Sequence, residues 1–462
     1  MPRRFALLYL LAACSGAANR PNKPTKATSE VDPDGPHRAA VAAQVKPFID
    51  AEVVSGVVIG LYDSGKLEIY GFGKGPEGAG KPPDGKTLYE LGSITKVYTS
   101  LMLADAVQRR EVTLDTPVAE LLPPGITVPT KDKVAITLKH LALHVSGLPR
   151  LPPSLVQEPR PDPYAGYGEE QLYRDLLATE LEVPPGTRIV YSNYCAGVLG
   201  VALGRKIGGG FSTALRTRVL EPLGLTGTFV GFPAGTDGRR AQGTDEDLQP
   251  TPSWTYDALA GAGALVSDAH DQLRMIDAEL NAYAGGKAPL SAPMRLTQED
   301  QLESEGPNTG LGWQIDKEGR YWHNGSTGGF HSFVGFDPKS RRGVVVLAST
   351  ASSLIDRLAD PMYKVLESQP PVPATFPTAE QLLPLVGTYD FSGSKLIVTA
   401  SGKRLYIEGP GEPKHRMSPL SATEFFIEPI QAAAIFQKDG DKVARLVFAL
   451  GDRTMTATRI EN

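Results

Sequence analysis

"YELGSITKVYTSLMLADAVQRR", residues Tyr89–Arg110, places apolar side chains at Ile94, Val97, Tyr98, Leu101, Met102, Ala104 and Val107. That spacing is helical, and Ser93 stands just ahead of it, as an N-cap serine would. A capping box would put Glu or Gln three residues on, reaching back to the cap. Lys96 occupies that position instead. A cation in a first helical turn faces the positive end of the helix dipole, at a cost of about 0.3–1 kcal/mol. Ser93 is therefore either a cap with a poorly chosen neighbour or a nucleophile with its base one turn away. The second reading uses what the first wastes. Dipole and burial both disfavour a charged lysine, and a neutral amine is what a serine needs as a general base. The serine's own backbone N–H, free at the helix start, can bind an oxyanion. A second Ser-x-x-Lys, Ser392-Gly393-Ser394-Lys395, opens no helix and reads as a turn between strand-like runs.

Working outward, a helical pattern covers His37–Val53, and "GVVIGLY" and "KLEIYGFG" form a hairpin across Asp63-Ser64-Gly65. Downstream comes a helical, loop-rich region with a Pro-dense insert (Leu151–Pro163), a helix near Glu169–Glu180 and another after Asn193. Then "LGWQI", "RYWHNGS", "FHSFVGFD" and "GVVVLAS" read as strands, and Ser353–Ser368 as a helix bent at Pro361. Two early strands and several late ones imply an α/β (α+β) domain: one antiparallel sheet assembled from both chain ends, flanked by helices, with a helical subdomain inserted. "SQPPVPATFP" is a linker, and the runs between Leu385 and Ile460 ("LIVTA", "RLYIEG", "EFFIEP", "AAIFQ", "ARLVFAL", "MTATRI") form a small all-β domain, barrel-like. The expected divisions are 1–14, 15–36, 37–368, 369–377 and 378–462.

The first of these is a targeting segment. Met1–Arg4 is basic and Phe5–Ala13 apolar, too short to span a bilayer, so the stretch reads as a secretory signal. Leu11-Ala12-Ala13-Cys14 is similar to a bacterial lipobox, which implies a lipid on Cys14 and a membrane-anchored, secreted protein facing the periplasm or cell exterior; the bland alternative is an ordinary signal peptide with a chance cysteine. Residues 15–36 then form a polar, Pro-rich tether. Cys195, the second of two cysteines, reads as a buried thiol. The net charge of −5 without a basic stripe gives no expectation of nucleic acid.

Two further constellations bear chemistry. Tyr191-Ser192-Asn193, in "GTRIVYSNYCAGVLG", sits where a loop enters an apolar helix. Asn193 is either a cap or a donor to a substrate carbonyl, and Tyr191 either a packed aromatic or a proton relay. His323-Asn324-Gly325-Ser326, in "GRYWHNGSTGGFHSFVGF", is either a glycine-rich hairpin or a substrate-facing edge whose Ser326 N–H supplies an oxyanion donor. Metal chemistry is not expected. His140 and His144 have helical ligand spacing, but Leu141 stands where His-Glu-x-x-His needs its base, so they read as helix-end histidines. No serine is framed as Gly-x-Ser-x-Gly, the α/β-hydrolase elbow.

The three elements, in this order, resemble the serine β-lactamase and penicillin-binding-protein superfamily, whose signatures are Ser-x-x-Lys, Tyr-x-Asn or Ser-x-Asn, and Lys-Thr-Gly or a His-x-Gly variant. The phrases "LGSITKVYTSLMLADAVQRREVTLDTPVAELLP", "LALHVSGLP", "RVLEPLGLTGT" and "GWQIDKEGRYWHNGSTGGFHSFVGFDP" are similar to the class C branch and its esterase and D-aminopeptidase relatives, over about Val41–Glu367. The tail resembles the lipocalin-like domain appended to many such hydrolases. The resemblance implies Ser93 as the acylated nucleophile, Lys96 and Tyr191 passing its proton, and Asn193 orienting a small-molecule or peptide substrate. His323 stands in the place of the third-motif lysine, Gly325 gives substrate clearance, and the Ser93 and Ser326 amides form an oxyanion hole. It implies no metal or organic cofactor. The departure, His-Asn-Gly for Lys-Thr-Gly, replaces a permanent cation by a mostly neutral ring and a Thr hydroxyl by Asn. It favours esterase, amidase or peptidase chemistry over antibiotic hydrolysis. Lys317 is no substitute, since "DKEG" reads as a hairpin turn. The rival reading is a non-catalytic envelope protein that keeps this fold to bind peptidoglycan peptides or a partner; intact Ser93, Lys96, Tyr191 and Asn193 argue against it.

Overall fold

The computed structural model describes residues 35–76, 78–155, 160–302, 309–451 and 453–460. Cys14, the signal segment and most of the tether lie outside them. The hairpin forms as expected: β1 (Gly56–Asp63) pairs with β2 (Lys66–Gly73) from Gly56↔Gly73 to Asp63↔Lys66. Its turn residues Ser64 and Gly65 both have positive φ, 52° and 96°, which suits a right-twisted two-residue connection.

The late strands are β6 (Gln314–Ile315), β7 (Tyr321–Ser326), β8 (His331–Asp337) and β9 (Arg342–Ala348). The sheet order is β2-β1-β9-β8-β7-β6, antiparallel throughout, so the first hairpin closes on the last strand and both ends of the domain meet in one sheet. Of "LGWQI" only two residues pair. β6 therefore covers Tyr321 and Trp322 alone, and among the described residues no strand pairs with the outer edge of His323–Ser326.

Period-two alternation splits β1 between two cores. Val57, Ile59 and Leu61 pack with Val41, Val45 and Phe48 of α1 (Arg38–Asp50) and with the helix Ala359–Leu366. Val58 and Tyr62 face the larger core, with Leu273 and Ile276 of the helix Ala269–Tyr283 and the helical subdomain. The expected helix Ser353–Ser368 is broken differently from its reading. A 3-10 helix spans Ser353–Leu358 and the α-helix begins at Ala359, so Pro361 sits in a first turn, where its missing N–H costs nothing.

A small sheet of β3 (Tyr89–Glu90), β4 (Phe229–Val230) and β5 (Leu265–Ser267), in the order β3-β5-β4, leads directly into Ser93. Beyond the loop of residues 369–377 the chain forms a closed eight-stranded barrel, β10 (Gly387–Phe391), β11 (Ser394–Ser401), β12 (Arg404–Glu408), β13 (His415–Pro419), β14 (Glu424–Ile427), β15 (Ala432–Asp439), β16 (Lys442–Leu450) and β17 (Arg453–Ile460). Ser392 and Gly393, both at positive φ, make the β10–β11 turn, as read for the second Ser-x-x-Lys. The barrel meets the larger domain through polar contacts, Arg404 to Glu52 at 2.7 Å and Tyr406 Oη donating to Asp247 at 2.6 Å.

Candidate active site

Ser93 does not cap the helix. It lies in a 3-10 turn, Gly92–Ile94, which runs into α2 (Thr95–Gln108), and neither start carries a side-chain cap bond. α2 is buried from Thr95 to Ala106, so Lys96 is carried into the interior with it. Lys96 Nζ lies 3.0 Å from Ser93 Oγ, 2.9 Å from Asn193 Oδ1 and 2.8 Å from the Ala262 carbonyl. Burial, reinforced by the Arg150 cation, holds its pKa well below the usual lysine value. A neutral amine has two N–H groups and one lone pair. Asn193 Oδ1 and the Ala262 carbonyl can only accept, so they take the two hydrogens and the lone pair is left facing the Ser93 hydroxyl.

α5 (Asn193–Ile207) brings the second constellation. Its cap is Ser192, whose Oγ accepts from the Cys195 amide at 3.0 Å and donates to the Pro149 carbonyl at 2.6 Å. Asn193 is thereby released from the cap role that the sequence left open. Its Oδ1 goes to Lys96 and its Nδ2 donates to Tyr164 Oη at 2.8 Å. Burial pushes the Tyr191 phenol up to about 12, against the lowering effects of the neighbouring Ser93 and Arg150 side chains. The phenol is thus neutral at ordinary pH. Lys96 Nζ lies 4.8 Å from its ring centre.

β7 supplies the third element. His323 is buried and its Nδ1 lies 2.5 Å from the Asn324 carbonyl; a carbonyl only accepts, so Nδ1 carries the hydrogen and Nε2 is the lone-pair nitrogen. Burial pulls its pKa down to about 4. Asn324 points to the opposite face and donates to Asp356 at 2.6 Å, so it does not take up the position of a site hydroxyl. Gly325 also differs from the role the resemblance implied. A Cβ there would meet the Leu91 carbonyl oxygen at 2.0 Å and Ser93 N at 2.7 Å, so the clearance serves the nucleophile's own turn. Reciprocally, Gly92 has φ +51°, and a Cβ on it would lie 2.7 Å from Ser326 N. Two glycines thus let β7 and the Ser93 turn touch backbone to backbone, which draws the Ser93 and Ser326 amides together. The Ser326 side chain itself is exposed.

Other expectations place simply. Lys317 is exposed in the β6–β7 turn. Cys195 is buried, 3.0 Å from Ser146 Oγ. His140 and His144 each have Nδ1 taken by a backbone amide, that of Thr137 and that of Ser192. Among the described residues no group of three His, Cys, Asp or Glu side chains is arranged to hold a metal. Sequence reasoning missed Tyr164, Arg150 and the Ala262 carbonyl. Tyr164 stands just past the Pro-dense insert with no periodicity to mark it. It stacks on Tyr256 at 4.9 Å and meets Trp254 edge-on at 5.4 Å, a wall that holds the Asn193 partner.

A family model described as Beta-lactamase matches residues 41–368. The chain is 26% identical over 343 residues to a beta-lactamase of Escherichia coli (strain K12), covering 66% of this chain and 86% of that protein. It is 26% identical over 310 residues to the D-alanyl-D-alanine-carboxypeptidase/endopeptidase AmpH of the same organism, covering 64% and 79%. The crystal structure of a class C beta lactamase from Rhodobacter sphaeroides superposes with a TM-score of 0.61 at 26% identity, covering 71% of this chain and 99% of that one.

Proposed function

Given that the chain belongs to the β-lactamase family and is a serine hydrolase, we propose that it cleaves an ester, amide or peptide through an acyl-enzyme on Ser93. The observation that carries this reading is the buried Lys96 amine, 3.0 Å from Ser93 Oγ and held by two acceptors, Asn193 Oδ1 at 2.9 Å and the Ala262 carbonyl at 2.8 Å, with no carboxylate beside it among the described residues. Ser93 Oγ bonds to the substrate carbonyl carbon as its proton moves to Lys96. The oxyanion is met by the Ser93 and Ser326 amides. On collapse the bond to the leaving group breaks, and that group takes a proton from Lys96 directly or through the Tyr191 phenol. Water then attacks the acyl-enzyme, gives its proton back along the same path, and frees Ser93. Asn193, fixed by Lys96 and Tyr164, presents an amide beside the reacting carbonyl.

A purely binding role leaves the lysine unexplained, since burying an amine with no carboxylate partner destabilises a fold without return. We place carboxylesterase or D-amino-acid peptidase activity ahead of β-lactam hydrolysis, because a neutral His323 stands where a cation would hold the antibiotic's carboxylate. The lipobox at Leu11–Cys14 adds a lipid-anchored position in the cell envelope to this proposal. The test is one steady-state panel on the purified protein: para-nitrophenyl butyrate, nitrocefin and a D-alanyl-D-alanine peptide. Turnover of the ester or peptide exceeding that of nitrocefin is expected. Nitrocefin as the best substrate would reverse the order, and turnover of none would remove the reading.

A further inference from the structure

Arg150 follows "SGLP" directly and belongs to none of the three constellations. Its backbone carbonyl accepts the Asn193 amide at 2.9 Å and the Tyr194 amide at 3.4 Å, so the residue is pinned to the first turn of α5. Its side chain is exposed, and the guanidinium carbon lies 5.5 Å from the centre of the Tyr191 ring. Among the described residues it has no carboxylate and no side-chain hydrogen bond. Five N–H donors therefore stand unused beside Tyr191, in the forked geometry that suits a carboxylate. The charge is felt throughout the site: it acts on Lys96, Tyr191, His144 and Tyr164, and no carboxylate acts on Lys96 or Tyr191. A guanidinium over a tyrosine face and free of partners is held ready by the ring without being neutralised.

We infer that Arg150 determines specificity, binding a carboxylate of the substrate on the Asn193 side of Ser93. Across the Tyr191 ring, 6.5 Å from its centre, stands His323, neutral and with a lone pair on Nε2; it offers an anion nothing. The positive charge of the cleft has thus moved from β7 to the start of α5. The substrate class is an ester or amide that bears a free carboxylate positioned to reach Arg150.

This rests on the acyl-enzyme reading, and the experiment separates the two. Three esters are compared: neutral para-nitrophenyl butyrate, mono-para-nitrophenyl glutarate with the carboxylate on the acyl part, and para-acetoxybenzoate with it on the leaving part. Fluorophosphonate labelling of Ser93 is measured in parallel on wild type, Arg150→Gln, Arg150→Lys and Arg150→Glu. Expected is a fall in kcat/KM of about tenfold to a hundredfold for at least one anionic ester in Arg150→Gln, the range of a charge-assisted hydrogen bond. Arg150→Lys should recover most of it and Arg150→Glu should lose more, and in each variant the fall on that anionic ester should exceed any fall in labelling and butyrate turnover, which follow the effect of the Arg150 charge on Lys96. An equal fall on all three esters, or no change on either anionic one while Ser93 still labels, overturns the inference. Failure of wild type to label or turn over any ester removes the acyl-enzyme reading instead.

Discussion

Replacing Gly325 by alanine would set a methyl carbon 2.0 Å from the Leu91 carbonyl oxygen, 2.7 Å from Ser93 N and 3.1 Å from Gly92 C. All three are backbone atoms, so no side chain can swing aside. To reach the 3.4 Å of ordinary contact, β7 and the Ser93 turn must separate by about 1.4 Å at the tightest point. Overpacking of this kind costs about 1–3 kcal/mol, a loss that a domain with two large cores survives. Its catalytic effect is larger, because a misplacement of about 1 Å can cost on the order of a hundredfold. The separation also parts the Ser93 and Ser326 amides, and loss of one oxyanion donor alone costs about a hundredfold to a thousandfold. The assay is the second-order rate of fluorophosphonate labelling at Ser93, beside a thermal unfolding curve. Gly238→Ala is the control, since a Cβ there meets nothing within 4 Å. Expected is a folded Gly325→Ala protein that labels at least a hundredfold more slowly, and a Gly238→Ala protein like wild type. Wild-type labelling by folded Gly325→Ala would show that β7 does not hold the nucleophile's turn.

Three further outcomes follow from the same geometry. Lys96→Met removes the base and the desolvated amine together, so labelling should fall by about a hundredfold to ten-thousandfold while the unfolding temperature rises; fast labelling would point to another base. Tyr164→Phe strips the acceptor from Asn193 Nδ2 and should cost about 1–3 kcal/mol in denaturant unfolding, with kcat/KM reduced; unchanged stability would mean that water replaces the phenol. His323, with its pKa lowered to about 4, should show imidazole NMR resonances that are flat from pH 8 to 5 and move only below that. Its neutral form is favoured by folding, so its contribution to stability is present above the unfolded pKa of about 6.5 and lost as pH falls toward 4. Titration near 6.5 would place it in water.

Much of this was legible in the chain, for physical reasons that also mark the limits. The Ser93 helix and the "GVVIGLY"/"KLEIYGFG" hairpin were marked by apolar runs bounded by turn residues, although α2 is buried all round and β1 on both faces. Burial on all sides of α2 then carried Lys96 inward, as the misplaced cation had hinted. The barrel strands β10 and β13 were missed because "GTYDF" and "HRMSP" mix polar residues and a proline into short runs. The true cap, Ser192, was masked by its neighbour, since Ser and Asn are equally good caps. Gly325 was assigned to the substrate because a sequence shows that a side chain is missing, but not which backbone fills its place. Tyr164 and Arg150 act through contacts between loops and α5, which no local pattern announces.

The most direct test of the account is the site of covalent modification. The full chain and its Ser93→Ala variant would be treated with a fluorophosphonate, and the adduct located by intact mass and peptide mapping. One adduct on Ser93, absent from the variant, is the expected result. An adduct on another residue, or none in protein whose folding is verified by circular dichroism, would contradict the claim that Lys96 makes Ser93 a nucleophile.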